Sequence, residues 1–514
     1  MKRITVSLSS LLILSALFTL TSCQKEESSN GPQFRATMED CTSQNGKTAL
    51  NGTNLNWQNG DRIAVYGTAG CGIYSATPQT PATTAIFDNV SGETGNAPFR
   101  AFYPASLTTD GVNITLPSTQ TYVDGSINEF PMYAKSSNEE LSFKNLCGVL
   151  KLHLTKANTN ITSITVKANV EINGQFTVSY VNDVPQLSYA GNGSKAVTMT
   201  CATPQAIDNG RDFYIYLPAT FDSLKSIELN TADGRYCVKT VKSNVCINVQ
   251  RSTLTEIEFE ENDLEFVLPE GTLPGLFSVS ETQQIRFSQG NLEYQPSSST
   301  WRFGANQLAY GNWYTGDDPY SVDWISVFGW GTGNNPTLSS NDLSDYTEFV
   351  DWGTNAISNG GNEPNLWRTL SSSEMMYLFT TRTNSTNLST PNARFINGCV
   401  SGQDGRILFP NGYNHPASVP EPNGINRFNY NYSGNTYTQS QWAEMEQEGA
   451  VFLQSWCYVQ ILPGYTGAFV DDSHGSLWTS DGYPFSLSGN FFWYSYPKTY
   501  KLSVRLVQNA NHNL

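Results

Sequence analysis

Short segments in which apolar and polar residues alternate recur through residues 33–260, and this period of two constrains the fold more than any other feature. Because successive side chains of a strand point to opposite faces, the alternation predicts half-buried β-strands. No convincing long helical pattern interrupts them. The clearest segments are Ile63–Tyr66, Leu150–Leu154, Ile164–Val166, Phe176–Tyr180, Phe213–Leu217 and Thr253–Phe259.

Turn signals separate these segments. Asn-Gly pairs stand at positions 51–52, 59–60, 173–174 and 209–210, and such pairs favour tight hairpin turns. The 41 glycines and the low charged fraction of 14% also fit turn-rich β structure. Many short strands with frequent turns indicate β-sandwiches, and a chain of 514 residues is long enough for about three domains.

Residues 1–22 are predicted to be a signal peptide, with a basic start and an apolar run over residues 11–20. That run is shorter than the roughly 20 residues of a membrane span. The spacing up to Cys23 resembles a bacterial lipobox, which implies cleavage before Cys23 and acyl chains on its thiol and amine. We therefore expect an outer-membrane lipid anchor. The alternative is an ordinary secretory signal with a chance cysteine.

Lys25, Glu26 and Glu27 follow the cysteine closely. A lysine followed by two acids at this place resembles the surface-export signal of Bacteroidota lipoproteins, and it implies exposure at the cell surface. The same residues suit a solvated spacer, and the two interpretations are compatible. Residues 23–32 are accordingly predicted to form a lipidated tether.

An ordered series of motifs resembles the fimbrillin-like proteins, the superfamily of major and minor fimbrial subunits in Bacteroidota. Within it, Trp57 is expected to anchor a core. The resemblance covers about residues 33–260 and implies two transthyretin-like β-sandwich subdomains, over 33–145 and 146–262. The motifs are Phe34–Glu39, Lys47–Leu50, Trp57–Val65, Phe102–Pro104, Pro131–Ala134, Phe143–Leu150 and Ile172–Gly174.

Many relatives of this kind build surface fimbriae by donor-strand exchange, in which a strand of one subunit completes the sheet of the next. Polymerising relatives are trimmed by a protease near the first strand, and Arg35 is the one basic residue suitably placed. A retained lipid anchor suits an anchor subunit or a stand-alone adhesin better than a repeating stalk subunit.

Composition changes after residue 262. Residues 263–274 are predicted to be a linker punctuated by proline and glycine, and ten of the eleven tryptophans lie after it. A separate domain over 275–514 is the simplest cause. In it, Ile285–Tyr294 predicts two short strands around a turn. One helix is expected to begin at the capping-box spacing of Ser371 and Glu374, and another to run from about Ser440 to Gln447.

This second half resembles the large paralogous domain family of Fibrobacter and Bacteroidota surface proteins. That family is similar to the C-type-lectin-like fold shared with formylglycine-generating enzymes. Over about residues 275–509 the resemblance implies an α+β domain with long aromatic loops, and it assigns no function by itself. The motifs are Trp367–Leu370, Gly405–Pro410, Gly449–Leu453, Leu477–Ser480 and Ser503–Val507.

Charge and histidine spacing argue against two classes of function. The formal charge of −16 becomes −18 when Lys2 and Arg3 leave with the signal, so binding to nucleic acid is disfavoured. The four histidines stand at no metal-ligand spacing from one another or from a cysteine, so no metal site and no cofactor are expected.

Eight cysteines remain besides Cys23, without a CxxC motif. An exported chain can form disulfides, and Cys237 with Cys246, separated by a predicted hairpin, is the pair expected to form one. Cys147 lies inside an apolar strand and is expected to be a small buried thiol.

Catalysis is not signalled, because no acid/base or nucleophile constellation is recognisable. Cys399 and Cys457 do not match the metal-binding cysteine pair of formylglycine-generating enzymes. The tripeptide Glu-Pro-Asn, which helps calcium lectins bind sugars, occurs at 363–365 and 421–423. Both copies precede the second helix, whereas calcium lectins carry theirs after both helices, so turn chemistry explains them.

Aromatic residues in glycine-rich loops are the predicted ligand-binding residues: Trp313, Tyr314, Trp352, Trp478, Trp493 and Tyr494. Exposed rings can stack on sugar faces or anchor a protein interface. The alternative for each ring is burial in a core.

The leading hypothesis is a lipid-anchored, surface-exposed adhesin or fimbrial accessory protein whose C-terminal domain binds a glycan or protein ligand. A structural fimbrial anchor or tip subunit, with fimbrial subunits as its partners, is the first alternative. A surface enzyme of unknown chemistry is the second.

Overall fold

The computed structural model describes residues 32–510 except 41, 44–55, 78–79, 128, 220–223, 243–246, 310–321, 429–430, 456–457, 462–467, 472–474 and 488–495. In this part the chain is mainly β, which confirms the predicted fold class at that level. No helix within the described ranges is long and apolar enough to span a membrane.

The first region is built from strands throughout. They are β1 (Phe34–Met38), β2 (Thr42–Ser43), β3 (Arg62–Tyr66), β4 (Cys71–Ala76), β5 (Thr84–Gly92), β6 (Phe99–Tyr103), β7 (Asn113–Leu116), β8 (Thr119–Thr121), β9 (Met132–Ser136), β10 (Glu140–Asn145), β11 (Cys147–Leu154), β12 (Asn160–Ala168), β13 (Gly174–Val181), β14 (Val184–Gly191), β15 (Ala196–Ala206), β16 (Arg211–Pro218), β17 (Leu224–Thr231), β18 (Tyr236–Thr240) and β19 (Thr253–Phe259).

Seven strands close into a barrel in the order β1-β10-β9-β6-β3-β4-β5, where separate sheets of a sandwich were expected. Trp57 is fully buried inside it, as predicted. Its ring meets Phe87, Tyr103 and Phe143 edge-on at centroid distances of 4.8, 5.1 and 5.4 Å. Its indole Nε1 donates to the carbonyl of Ala36 at 3.2 Å, so the ring ties β1 to the barrel core.

The second module is a sandwich of two sheets, ordered β16-β11-β19-β2 and β18-β17-β12-β15-β8. Aliphatic side chains from both sheets form one core, with Leu150 and Leu152 of β11, Ile215 of β16, and Ile164 and Val166 of β12 fully buried. The strands therefore alternate between this core and the outer faces, as the sequence pattern predicts.

Strand pairing crosses the predicted boundary between residues 145 and 146 in both directions. The hairpin β13–β14 comes from the second stretch of sequence but pairs with β7, and Phe176 of β13 is buried in the first core. In return, β8 pairs with β15 and β2 pairs with β19. The two predicted subdomains are thus interlocked by exchanged strands.

A polar network also joins the two modules where β1 ends. Arg251 donates through both terminal nitrogens to the carboxylate of Glu39, at 2.6 and 3.2 Å, and to the carbonyl of Asn145 at 2.9 Å. The amide N–H of Asn145 donates to Glu39 at 2.8 Å, and the Ser252 hydroxyl donates to the carbonyl of Asp40 at 3.0 Å. Such bidentate, charge-assisted bonds fix geometry as well as adding energy.

The second half contains short strands and two α-helices. They are β20 (Phe277–Ser278), β21 (Gln284–Phe287), β22 (Leu292–Gln295), β23 (Thr300–Phe303), α1 (Ser372–Met376), β24 (Phe395–Val400), β25 (Gln403–Leu408), β26 (Thr436–Tyr437), α2 (Gln439–Gln447), β27 (Val451–Gln454), β28 (Tyr458–Ile461), β29 (Ala468–Asp471), β30 (Ser476–Leu477), β31 (Phe485–Ser486) and β32 (Val507–Asn509).

Both predicted helices are present. The capping box of Ser371 and Glu374 begins α1, which continues as a π-helical turn over Tyr377–Thr381. A second capping box, between Thr438 and Gln441, begins α2. The two strands predicted within Ile285–Tyr294 also exist, but they do not pair with each other: β21 pairs with β20 and β32, whereas β22 pairs with β23.

Residues 263–274 pack against both halves. Leu264 is buried in the core of the second sandwich and Leu273 in a core of the C-terminal half. Val267 forms an antiparallel bridge with Tyr236, with two N–H···O bonds of 2.9 Å. We call residues 263–274 the connector.

We predict that Glu39 and Arg251 are energetically coupled. Because both side chains are largely buried, a double-mutant cycle with Glu39→Ala and Arg251→Ala should give a coupling energy of about 1–2 kcal/mol in urea unfolding. The pair Arg211–Asp124, whose carboxylate side chain is 81% exposed, is the matched control and should couple by less than about 0.5 kcal/mol. Equal coupling in the two cycles would contradict the structural role of the network.

Candidate functional site

A cavity of about 680 Å³ lies between the second sandwich and the C-terminal half. Its volume is in the range of small-molecule sites in proteins. The outer face of the five-stranded sheet forms its floor, and the connector with parts of the C-terminal half forms the opposite wall. We call this cavity the junction cleft.

Four floor residues lie in one row across neighbouring strands. The register pairs Thr200 of β15 with Ser163 of β12, Ser163 with Asn230 of β17, and Asn230 with Tyr236 of β18. A bulge in β12 between residues 161 and 163 brings Thr162 to the same floor. With Thr162, the row therefore brings together three hydroxyls, an amide and one half-buried phenol ring, and the Ser163 hydroxyl among them is 4% exposed.

Hydrogen bonds hold the centre of this row. The Thr162 hydroxyl donates to the carbonyl of Asn230 at 3.1 Å. The Asn230 side-chain Nδ2 donates to the hydroxyl of Ser163 at 3.3 Å and to Glu228 at 3.4 Å. Glu228 is itself paired with Lys167 at 3.2 Å. The amide of Asn230 is thus oriented before any ligand arrives.

Arg286 joins the two sides of the cleft. It is 3% exposed, and its guanidinium donates to the carbonyl of Pro274 in the connector and to the carbonyl of Asp233 in the turn between β17 and β18. Burial, partly opposed by the charge of Asp233, lowers the pKa of Arg286 to about 10. Its Nε has no hydrogen-bond partner in the part of the chain that the structure describes.

The turn that receives Arg286 is itself rigid. The carboxylate of Asp233 accepts hydrogen bonds from the Thr231 hydroxyl at 2.5 Å and from Nε of Arg235 at 2.7 Å. Burial alone would raise the pKa of Asp233, but the bond from Thr231 and the charge of Arg235 outweigh it, so the pKa is lowered.

The wall opposite the floor carries both polar and acidic groups. Gln284 and Gln508 line it, and exposed Glu270 and Glu363 also contribute to it. Glu363 belongs to the first Glu-Pro-Asn tripeptide, whose Asn365 has a positive φ of 65°, in agreement with a turn. No group of three or more His, Cys, Asp or Glu side chains within the described ranges is placed to hold a metal ion.

Two of the predicted ligand-binding rings are buried, which corrects the prediction for them. Trp352 is 0% and Trp478 is 1% exposed. Trp478 donates through Nε1 to the carbonyl of Phe328 at 2.7 Å, and Trp352 lies in the same aromatic core. Neither ring has a free face for a ligand, because both are buried among the side chains of this core.

The remaining predicted site residues lie outside the described residues. They are Trp313, Tyr314, Trp493 and Tyr494, together with Cys23, Lys25, Glu26 and Glu27. Their roles stay predictions.

Cys237 is a buried free thiol in the structure, in contrast to the disulfide predicted with Cys246. Burial raises the pKa of this thiol. β18 ends at Thr240, and residues 243–246, which belong to the hairpin expected between the two cysteines, lie outside the described residues. Cys246 itself lies outside the described residues.

A second pocket, of about 710 Å³, lies within the C-terminal half and has no ionisable side chain in its lining. Ser385 stands at its exposed rim. We call it the charge-free pocket.

We predict that Arg286→Met loosens the junction. The change removes the guanidinium donor from the partly buried carbonyls of Pro274 and Asp233, which costs up to about 1–3 kcal/mol for each group left unpaired. Hydrogen exchange of the Tyr236 and Val267 amides should therefore accelerate. Arg100→Met, on an exposed face of the barrel, is the control and should leave these amides unchanged. Identical exchange in the two variants would contradict the bridging role of Arg286.

No family model and no curated protein matches this chain. Solved structures similar to it include a putative cell adhesion protein from Bacteroides uniformis, at 17% identity, covering 46% of this chain and 95% of that chain, with a TM-score of 0.30.

Two others are fimbrial proteins. The tip fimbrial protein Mfa3 from Porphyromonas gingivalis, with C-terminal truncation, is 10% identical, with 46% of this chain and 98% of that chain covered and a TM-score of 0.24. A fimbrial protein from Bacteroides ovatus is 10% identical, with 71% and 74% covered and a TM-score of 0.22. At TM-scores this low, the likenesses carry no argument about what this chain does.

Proposed function

We propose that this chain is a lipid-anchored, surface-exposed adhesin or fimbrial accessory protein that recognises a glycan or protein ligand and does not transform it. The junction cleft is the observation that carries this proposal. It combines a preoriented polar floor, one half-buried aromatic ring and a volume suited to part of a larger ligand. The chemistry it offers is binding through hydrogen bonds and ring contact.

The cleft amends the proposed place of binding. The sequence predicts that the C-terminal domain alone binds the ligand, through its loop aromatics. The floor of the cleft belongs to the second sandwich, whereas its wall belongs to the connector and the C-terminal half. We therefore assign recognition to the junction of the two parts.

The position of β1 supports an accessory or anchor role over that of a repeating stalk subunit. β1 lies between β10 and β5, with Phe34 and Ala36 fully buried. An incoming donor strand needs this place to be vacant. If β1 were removed by cleavage, the rest of the chain would also lose its connection to the proposed lipid on Cys23.

One observation specifically supports the alternative, a fimbrial anchor or tip subunit. A terminal subunit retains its own first strand, and here β1 is fully integrated in the barrel. Mixing the purified mature chain with candidate fimbrial subunits separates the two versions. Absence of a complex, together with retained ligand binding, would remove the assembly version.

We predict that Cys23→Ala abolishes anchoring. Without the thiol there is no site for the diacylglycerol, so the protein should lose palmitate labelling and move from the outer-membrane to the soluble fraction. Cys41→Ala is the matched control and should keep both the label and the location.

Surface exposure is tested separately by protease treatment of intact cells. The unchanged chain should be digested, and the double variant Glu26→Ala, Glu27→Ala should be protected while remaining lipidated. Equal digestion of both would contradict the export role of these acids.

A further inference from the structure

We propose that the junction cleft binds an extended, uncharged oligosaccharide of about three sugar residues that lies across the strands of the sheet. This inference rests on the proposed function, since it takes the cleft as the site of recognition and adds the chemical class of the ligand. Four observations lead to it: the spacing of the floor, its chemistry, its charge and the state of the neighbouring strand edge.

The spacing of the floor matches a linear glycan. Thr200, Ser163, Asn230 and Tyr236 stand on four adjacent strands, so three strand-to-strand steps separate the ends of the row. Adjacent strands lie about 4.8 Å apart, so the row is roughly 14 Å long. Sugar residues in an extended β-linked chain repeat at a similar interval. One sugar residue therefore fits each step.

The chemistry of the floor suits a polyhydroxylated ligand. Hydroxyl and primary amide groups both donate and accept hydrogen bonds, as sugar hydroxyls do. The ring of Tyr236 is half buried and lies at one end of the row. Such a ring combines an apolar face for the C–H side of a sugar with a hydroxyl that can bond to it.

Charge in the cleft disfavours an acidic ligand. Glu228 is paired with Lys167, and Arg235 with Asp233 at 2.7 Å. The guanidinium of Arg286 is engaged by carbonyl oxygens. The exposed carboxylates Glu270 and Glu363 on the wall would repel uronic or sialic acids. An uncharged glycan is not repelled by these carboxylates and needs no ion pair in order to bind.

The strand edge disfavours a peptide that would add as a further strand. Strand addition needs free main-chain donors and acceptors at a sheet edge. At the cleft end of β18, the N–H and C=O of Tyr236 are already bonded to Val267 of the connector, at 2.9 Å each. Recognition at this place must use side chains, as glycan binding does.

The test measures affinity against chain length. The complete mature chain is titrated calorimetrically with β-linked gluco-, xylo- and manno-oligosaccharides of one to five residues. We expect at least one series to bind, with affinity rising about tenfold or more from one to three residues and changing less than about twofold from three to five. Trigalacturonate, an acidic trimer, should not bind.

Variants locate the site. Tyr236→Ala should weaken binding of the trimer about tenfold or more, because the ring face is lost, whereas Tyr236→Phe should retain most of it. Ser385→Tyr, which fills the charge-free pocket, is the matched control and should bind like the unchanged chain. Hydrogen exchange of the floor strands verifies that each variant is folded.

Three results would overturn the inference: no uncharged series binds, affinity is indifferent to length up to three residues, or Tyr236→Ala binds as well as the unchanged chain. A separate measurement, adhesion of cells with and without the protein to mucin-coated surfaces, tests the proposed function. If adhesion depends on the protein but the oligosaccharides neither bind nor compete, the adhesin role stands and the ligand class is wrong. If adhesion is also indifferent to the protein, both fail.

Discussion

Main-chain hydrogen bonds between strands that are far apart in sequence hold the described part of residues 32–260 together as an interlocked pair of modules. β8 leaves the first module to pair with β15, and the hairpin β13–β14 leaves the second to pair with β7. Each module therefore lacks strands that only the other can supply. Because such pairs must form over long sequence separations, folding of this region depends on non-local contacts. The cleft depends on the same exchange, since its floor includes β15 and its sheet includes β8.

Local features of the fold were predictable because local physics produces them. Alternation placed Thr253–Phe259 as a strand, and the structure has the same bounds. The Ser371 and Glu374 spacing placed a helix start, because the side chains satisfy each other's backbone N–H groups. Pairing was not predictable. The pattern of Ile285–Tyr294 predicts a hairpin, yet its two strands pair with different partners. No feature of those ten residues indicates which partner each strand takes.

The loop aromatics show how one pattern can have two meanings. Glycine next to an aromatic residue suggests an open loop that displays a ring. In this chain glycine instead permits close backbone approach: a Cβ at Gly353, beside Trp352, would lie 1.9 Å from the carbonyl oxygen of Trp367. The ring of Trp352 is then buried by the residues that pack around it. Tyr236 was missed for the opposite reason, since its strand pattern is ordinary and its site is created by the connector docking beside it.

The place of β1 has a mechanical consequence. A ligand held at the cleft and the proposed lipid on Cys23 would pull on the chain against each other, and the pull on the lipid side would enter the described fold at β1. β1 pairs with β10 in parallel and with β5 antiparallel over its length. A load along the strand axis strains all these hydrogen bonds together instead of breaking them one after another. Beyond β1, the Glu39–Arg251 contact passes part of that load to the segment that enters β19. With the proposed lipid on Cys23, β1 would therefore resist shear flow through the geometry of its pairing on both edges.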